Sequence, residues 1–225
     1  ASNGVSDCHS GLDPLNSQYS EQRTLISLAI FIIILFSGLH YIPFLTYLVP
    51  YLRDELKLGI EFSSSIWSLI GFVGIGSGVI LGTFADRFGI KSVLIFIFAS
   101  TSISALVLCF TRNLTLIILS VILFALVSGS IFGLPPAYIS KVFTSKKITN
   151  LIGISNVAMG IGMICGNYFG GWTKSFTGSF FMVYLSIGLS VLLLIPVTLL
   201  LPNEKSNGID RFKAIPGKTK KNNPI

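Results

Sequence analysis

Charged residues are absent from six long stretches of the chain. No Asp, Glu, Lys or Arg occurs in Thr24–Pro50, Phe62–Ala85, Ser92–Thr111, Asn113–Ser140, Ile148–Thr173 or Ser175–Asn203. Each stretch reaches the ~20 apolar residues that cross a bilayer core. The pattern predicts an all-α membrane protein with six transmembrane helices. Residues 1–23 are rich in Ser, Asn, Gly and Asp, show no apolar period, and read as a flexible polar leader. Residues 204–225 form a basic tail with Gly208, Pro216, Gly217 and Pro224, either a solvated end or a segment drawn to anionic lipid.

Inside the apolar stretches lies a second pattern. Gly74, Gly78 and Gly82 in the second span are matched by Gly162, Gly166 and Gly170 in the fifth, at a constant offset of 88 residues. Phe84 and Phe88 are matched in the same way by Trp172 and Phe176. Spacing of four puts each glycine set near one helix face, where a neighbouring backbone can approach closely. The offset divides the membrane region 24–203 into two three-span units, about 24–111 and 113–203. Three is odd, so the second unit enters the membrane from the opposite side. The expected architecture is therefore a pair of inverted three-helix repeats.

Composition sharpens this picture. Only 11% of residues are charged, against roughly 25% in soluble domains. The net charge of +7 does not call for nucleic acid, because the positive-inside rule accounts for it. With the N-terminus cytoplasmic, twelve basic residues fall inside: Arg23, Arg87, Lys91, Lys141, Lys146, Lys147, Lys205, Arg211, Lys213, Lys218, Lys220 and Lys221. Four fall outside: Arg53, Lys57, Arg112 and Lys174. Both termini are expected in the cytoplasm of a multi-pass cell-membrane protein. Cys8, Cys109 and Cys165 are too scattered for a disulfide framework or a metal site. No cofactor is expected.

Prolines interrupt the first, fourth and sixth spans: Pro43 and Pro50, the pair Pro135–Pro136, and Pro196. Proline removes a backbone donor and bends a helix, which a membrane tolerates where packing or a cavity satisfies the freed carbonyl. Pro43 and the Pro135–Pro136 pair are the candidate functional bends. The first span also carries Ser37, His40, Tyr41, Phe44 and Tyr47, of which His40, Phe44 and Tyr47 share one helix face. An intramembrane His binds anions, relays protons, or is simply a satisfied packing residue. The fourth span adds Ser128, Ser130 and Tyr138, the fifth Asn156 and Asn167. His40, Tyr41, Tyr47, Ser128, Tyr138 and Asn156 form the candidate substrate-binding set; helix–helix hydrogen bonding is the alternative role. No carboxylate lies in the spans, so ion coupling would have to use His40, use another part of the protein, or be absent.

The segment between the second and third spans, Gly82-Thr83-Phe84-Ala85-Asp86-Arg87-Phe88-Gly89-Ile90-Lys91, resembles the signature loop of the major facilitator superfamily. The match holds at Gly82, Asp86, Arg87, Gly89 and Lys91. It departs at Phe84, where Leu is common, and at Ile90, where a basic residue is usual. With the six spans, the resemblance covers about residues 24–201. It implies a loop that latches one access state, with gating roles for Asp86 and Arg87; a plain topology anchor is the alternative. It also implies twelve helices in two bundles, of which this chain supplies one. Ala1 in place of Met, the leader and the basic tail fit the C-terminal bundle of a longer protein. By that reading the first and fourth spans line the central cavity, and the second and fifth meet the other bundle through their glycine stripes, or else use those stripes within their own bundle. Gly133–Lys141 resembles the tenth helix of carboxylate-transporting members, and the stretch from His40 to Leu52 their seventh.

The expected partners are the lipid bilayer, a small solute such as an organic anion, and a second six-helix bundle, either an N-terminal half or another copy. A transporter half is the leading class. A rhomboid-like protease is excluded by the lack of Gly-x-Ser-Gly, and a zinc protease by the lack of His-Glu-x-x-His. A non-transporting scaffold or truncated remnant is the other open class.

Overall fold

The computed structural model describes the backbone of residues 13–143 and 145–202, and the side chains of residues 24–143 and 148–202. Most of the leader and the basic tail lie outside the described residues. The described part is helical: α1 (Asp13–Asp54), α2 (Ile60–Phe88), α3 (Ile90–Phe110), α4 (Leu114–Ser128), α5 (Leu134–Val142), α6 (Ser145–Thr177) and α7 (Phe181–Leu199). Five of them, α1, α2, α3, α6 and α7, are long and apolar enough to cross a membrane. The fourth span is α4 and α5 together.

Two elements differ from the sequence expectation. α1 begins at Asp13, inside the stretch read as a loop. Asp13-Pro14 is a helix start signal, with an acid at the positive end and Pro in the first turn, and extending an existing helix costs little. The fourth span is not continuous. α4 has only 15 residues, and a turn over residues 129–133 separates it from α5. Pro135 and Pro136 remove the donors that would serve the carbonyls of Ile131 and Phe132, and their rings would collide with those carbonyls in a helix. In the turn, tighter i→i−3 bonds run from Ser130 N–H to the Val127 carbonyl at 3.3 Å and from Gly133 N–H to the Ser130 carbonyl at 3.2 Å.

The helices pack as two inverted repeats. α1 packs on α6, and α4 on α2; α3 packs on α7; α3 lies against α4, and α7 against α1. Lesser contacts join α1 to α2 and α5 to α6, and α2 to α3 and α6 to α7. Exchanging the first three spans for the last three carries each of these pairings onto another of the set, and α3–α7 onto itself.

The glycine stripes work within this bundle. A Cβ on Gly162 would overlap the Leu35 carbonyl oxygen of α1, and one on Gly166 would overlap that of Leu39. Gly38 of α1 is pressed in return against the Met159 carbonyl of α6. Pro43 explains part of this contact. It leaves the Leu39 carbonyl without a helical donor, and α1 nonetheless continues as one helix because that oxygen is covered by the Gly166 backbone. Gly170 faces the Tyr47 ring, with ring carbon at 2.5 Å from its Cβ position. In the other repeat, the Cβ positions of Gly74 and Gly78 lie 3.3 Å from Ser128 Oγ and 3.9 Å from the Gly129 carbonyl oxygen. Gly82 has open space around it.

Gly166→Val should therefore lower stability by about 3 kcal/mol, the upper range for overpacking, read as a fall in thermal midpoint in detergent. Gly82→Ala should leave the midpoint unchanged or raise it.

Candidate functional site

The break in the fourth span faces α1 across an aromatic cluster. The Phe44 and Phe124 rings stack at 3.8 Å and are buried. Tyr41 lies 5.9 Å from Phe124 and meets Phe132 edge-on at 5.0 Å. Tyr41 is half-buried, and Gly129, Phe132 and Gly133 are exposed. Ser128, whose hydroxyl donates to the Ala125 carbonyl at 2.9 Å, neighbours the Tyr41 hydroxyl. The open edge of the cluster thus offers two aromatic faces, the Tyr41 hydroxyl, and unwound backbone whose Ile131 and Phe132 carbonyls have no helical donor. Unwound backbone at membrane depth is stable only where it meets protein or a water-filled cavity.

Ser77 of α2 holds this break in place. Its hydroxyl oxygen accepts from Gly129 N–H at 3.0 Å and donates to the Gly74 carbonyl at 2.8 Å. The Ser130 hydroxyl donates to the Ser77 carbonyl at 3.1 Å. The signal for Ser77 in the sequence is its place inside the glycine stripe, where a hydroxyl replaces a close-approach position.

The remaining predicted solute-binding residues are placed elsewhere. His40 is 3% exposed. Its Nδ1 lies 2.5 Å from the Phe36 carbonyl oxygen and its Nε2 2.5 Å from Ser190 Oγ. A carbonyl only accepts, so Nδ1 carries a proton. Both ring nitrogens are used, Nδ1 within α1 and Nε2 to join α1 to α7. The packing role, left open by the sequence, is the one this geometry supports. Tyr138 is buried with its hydroxyl donating to the Pro202 carbonyl at 2.8 Å. The Tyr47 hydroxyl donates to the Asn167 carbonyl of α6 at 2.6 Å. Asn156 lies on the exposed face of α6 beside Val157. Of the candidate set, only Tyr41 and Ser128 come together.

The signature loop divides into distinct jobs. Gly89 joins α2 to α3 at φ +96°, a conformation that favours glycine. Asp86 Oδ1 meets Lys141 Nζ of α5 at 3.5 Å, and the Arg87 guanidinium lies 5.6 Å from the Phe88 ring centre. Lys91 reaches the end of α7 instead, donating to the Leu199 and Leu201 carbonyls at 2.7 and 2.6 Å. It serves as a cap on the orphan carbonyls of a helix end. On the opposite face, Glu55 caps α7 by accepting from Phe180 N–H and from the Ser179 hydroxyl. The sequence reading passes over Glu55, one of three acids between the first two charge-free stretches.

Among the described residues no group of His, Cys, Asp and Glu could hold a metal ion. The family model described as Major Facilitator Superfamily matches residues 26–221. No curated protein matches the chain in sequence. Among solved structures, a D-xylose-proton symporter shares the fold with a TM-score of 0.58 at 17% identity. The match covers 87% of this chain and 52% of the symporter, so the chain spans about half the length of that relative.

His40→Ala should cost about 1 kcal/mol of stability, the scale of an interhelical hydrogen bond in a membrane, measured as a lower thermal midpoint. His40→Gln, which keeps a polar group for Ser190, should recover part of the loss.

Proposed function

The chain belongs to the Major Facilitator Superfamily, and from that premise we propose that it is one six-helix bundle of a transporter that moves a small solute by alternating access. The observation that carries the proposal is the broken fourth span facing Tyr41. Backbone carbonyls without helical donors lie there beside aromatic faces, an arrangement suited to a solute that stacks on one side and donates hydrogen bonds on the other. Tyr41 and Phe132 stack on the solute, and Ser128 orients the Tyr41 hydroxyl. His40 supports the joint between α1 and α7. No charged side chain of the described residues belongs to the cluster, which favours a neutral polar solute; an organic anion would find its cation on another bundle.

A second bundle completes the pathway. α2 and α6 are the least buried of the five long spans and also the least apolar. A helix face turned to lipid should be the most apolar of all, so much of these two surfaces suits protein or water better. Trp67, Phe72, Ile75 and Val79 on α2 and Ile164, Tyr168 and Trp172 on α6 supply the contact. The covering bundle is an N-terminal half of the same protein or another copy of this chain. The Asp86 face is cytoplasmic by the charge asymmetry, with both termini inside, and Asp86 and Arg87 bias the access equilibrium at that face.

Uptake of a panel of radiolabelled polar solutes into vesicles tests the proposal. For a transported solute, Tyr41→Phe should raise KM about tenfold, the worth of ~1.4 kcal/mol, at unchanged membrane abundance. Unchanged KM would remove Tyr41 from the site, and no flux with any solute would favour a non-transporting scaffold.

A further inference from the structure

We propose that the cleft where the start of the α1 span, the end of α5 and the start of α6 meet seats an anionic phospholipid, with one acyl chain in the cleft and the phosphate between Arg23 and Lys147. The inference goes beyond the transport reading and requires only that the chain is embedded in a bilayer. By the charge asymmetry this end faces the cytoplasm, where the leaflet carries the anionic lipid.

The cleft has a volume of about 280 Å³. Leu28 and Phe31 of α1, Ile139 and Phe143 of α5, and Leu151 and Ile154 of α6 form most of its wall. An apolar cleft at membrane depth is filled by side chains or acyl chains, because water finds no partners there. Its volume lies near the lower bound of roughly 300 Å³ for small-molecule pockets, room for a length of one chain and not for a whole lipid. Ser155 interrupts the apolar wall. It is 5% exposed, and its hydroxyl has no hydrogen-bond partner among the described residues. A buried hydroxyl left unpaired is costly in hydrocarbon. The glycerol ester carbonyls of a phospholipid are acceptors that sit at the head of its acyl chains, where they can take that hydroxyl's proton in a hydrogen bond.

Helical register puts basic positions above both walls. Lys147, Leu151 and Ser155 follow at intervals of four along α6, and Arg23, Ser27 and Phe31 at intervals of four along α1. Residues four apart share a helix face. Leu151, Ser155, Ser27 and Phe31 line the cleft, so positions 147 and 23 stand one turn beyond it on the same faces. At 1.5 Å per residue, position 147 lies about 12 Å further out than Ser155. Lys146 adds a third positive charge beside Lys147. An apolar trough, an unpaired hydroxyl and then basic positions match acyl chain, ester and phosphate in that order. Other occupants fit less well. The tail 203–225 is itself basic and would meet like charge at Arg23, Lys146 and Lys147. A polar solute needs several convergent polar groups, and the apolar wall does not supply them.

The full chain is purified in neutral detergent, and binding of phosphatidylglycerol is compared with that of phosphatidylcholine of the same acyl chains and of inorganic phosphate. Phosphatidylglycerol should bind about tenfold more tightly than phosphatidylcholine, and phosphate, which lacks the chain, should not bind measurably. Arg23→Gln and Lys147→Gln should each weaken phosphatidylglycerol about fivefold, the effect of one basic residue near an anionic surface, and phosphatidylcholine by less than about twofold. Leu28→Trp fills the cleft from an exposed position. It should weaken both lipids about tenfold and leave the thermal midpoint of the lipid-free protein unchanged. Removal of residues 203–225 should leave binding as it is. Equal affinity for the two lipids, or phosphatidylglycerol binding that persists in the Arg23→Gln/Lys147→Gln double variant or in Leu28→Trp, would overturn the proposal. Tight binding of phosphate alone, or loss of lipid binding on removal of the tail, would place the anion site outside the cleft and overturn it as well. Should Leu28→Trp fail to accumulate, Ile154→Trp decides by the same criteria. None of these measurements reads solute flux, so failure of the lipid seat is distinguishable from failure of the transport reading.

Discussion

The contact on which the bundle depends is backbone against backbone, where α1 crosses α6. In lipid a helix gains no hydrophobic energy by meeting another, so close packing and polar satisfaction must hold them together. Gly38, Gly162 and Gly166 remove the side chains that would keep the two helices apart. Pro43 then makes that closeness necessary, because it bares the Leu39 carbonyl in a region without water. A single glycine, Gly166, both permits the crossing and covers the exposed oxygen. The hydroxyl of Tyr47, which reaches the Asn167 carbonyl, depends on the same helix placement.

The equivalent crossing in the other repeat solves the same problem differently. Two consecutive prolines bare two carbonyls in the fourth span, and the neighbouring helix presents Ser77 beside its glycines. A glycine can cover an oxygen at close approach, whereas a serine hydroxyl both accepts from an amide and donates to a carbonyl. The fourth span accordingly opens into a turn whose Gly129 N–H is held by Ser77. One repeat keeps a straight helix and the other a broken one. The symmetry of the packing scheme survives while the symmetry of the surfaces does not, and unwound backbone appears in one repeat only.

Much of this was legible from residue order. The charge-free stretches mark six spans, and the glycine offset marks the repeat, because both are one-dimensional periodicities with direct geometric meaning. The break in the fourth span was half legible: the proline pair announces it, but the anchoring Ser77 stands 52 residues before Gly129. The satisfied state of His40 was not legible. Its partner Ser190 lies 150 residues away, and nothing local distinguishes a packed imidazole from one lining a cavity. The same holds for Lys91. Its spacing from Asp86 and Arg87 suggests a shared gating role, yet its length lets it reach carbonyls of the last helix that only the folded chain brings near. Polar residues in a membrane span announce that they need a partner. They do not announce whether the partner is the protein or a ligand.

That distinction also governs the exposed faces. Lipid is the only solvent available to the outside of the bundle, and it rewards uniform apolarity. α3 and α7 meet this demand: Phe96, Ile103, Leu189 and Leu193 turn outward from strongly apolar helices. α2 and α6 do not, since exposed Ser64, Ser65, Ser68 and Gly71 on α2 and Gly153, Asn156 and Cys165 on α6 interrupt their outer surfaces. A mixed surface of large aromatic residues, small residues and hydroxyls is poorly matched to acyl chains and well matched to another helix. The two helices related by the internal repeat share this character. The functional face of this bundle is defined less by what it binds than by what it leaves uncovered.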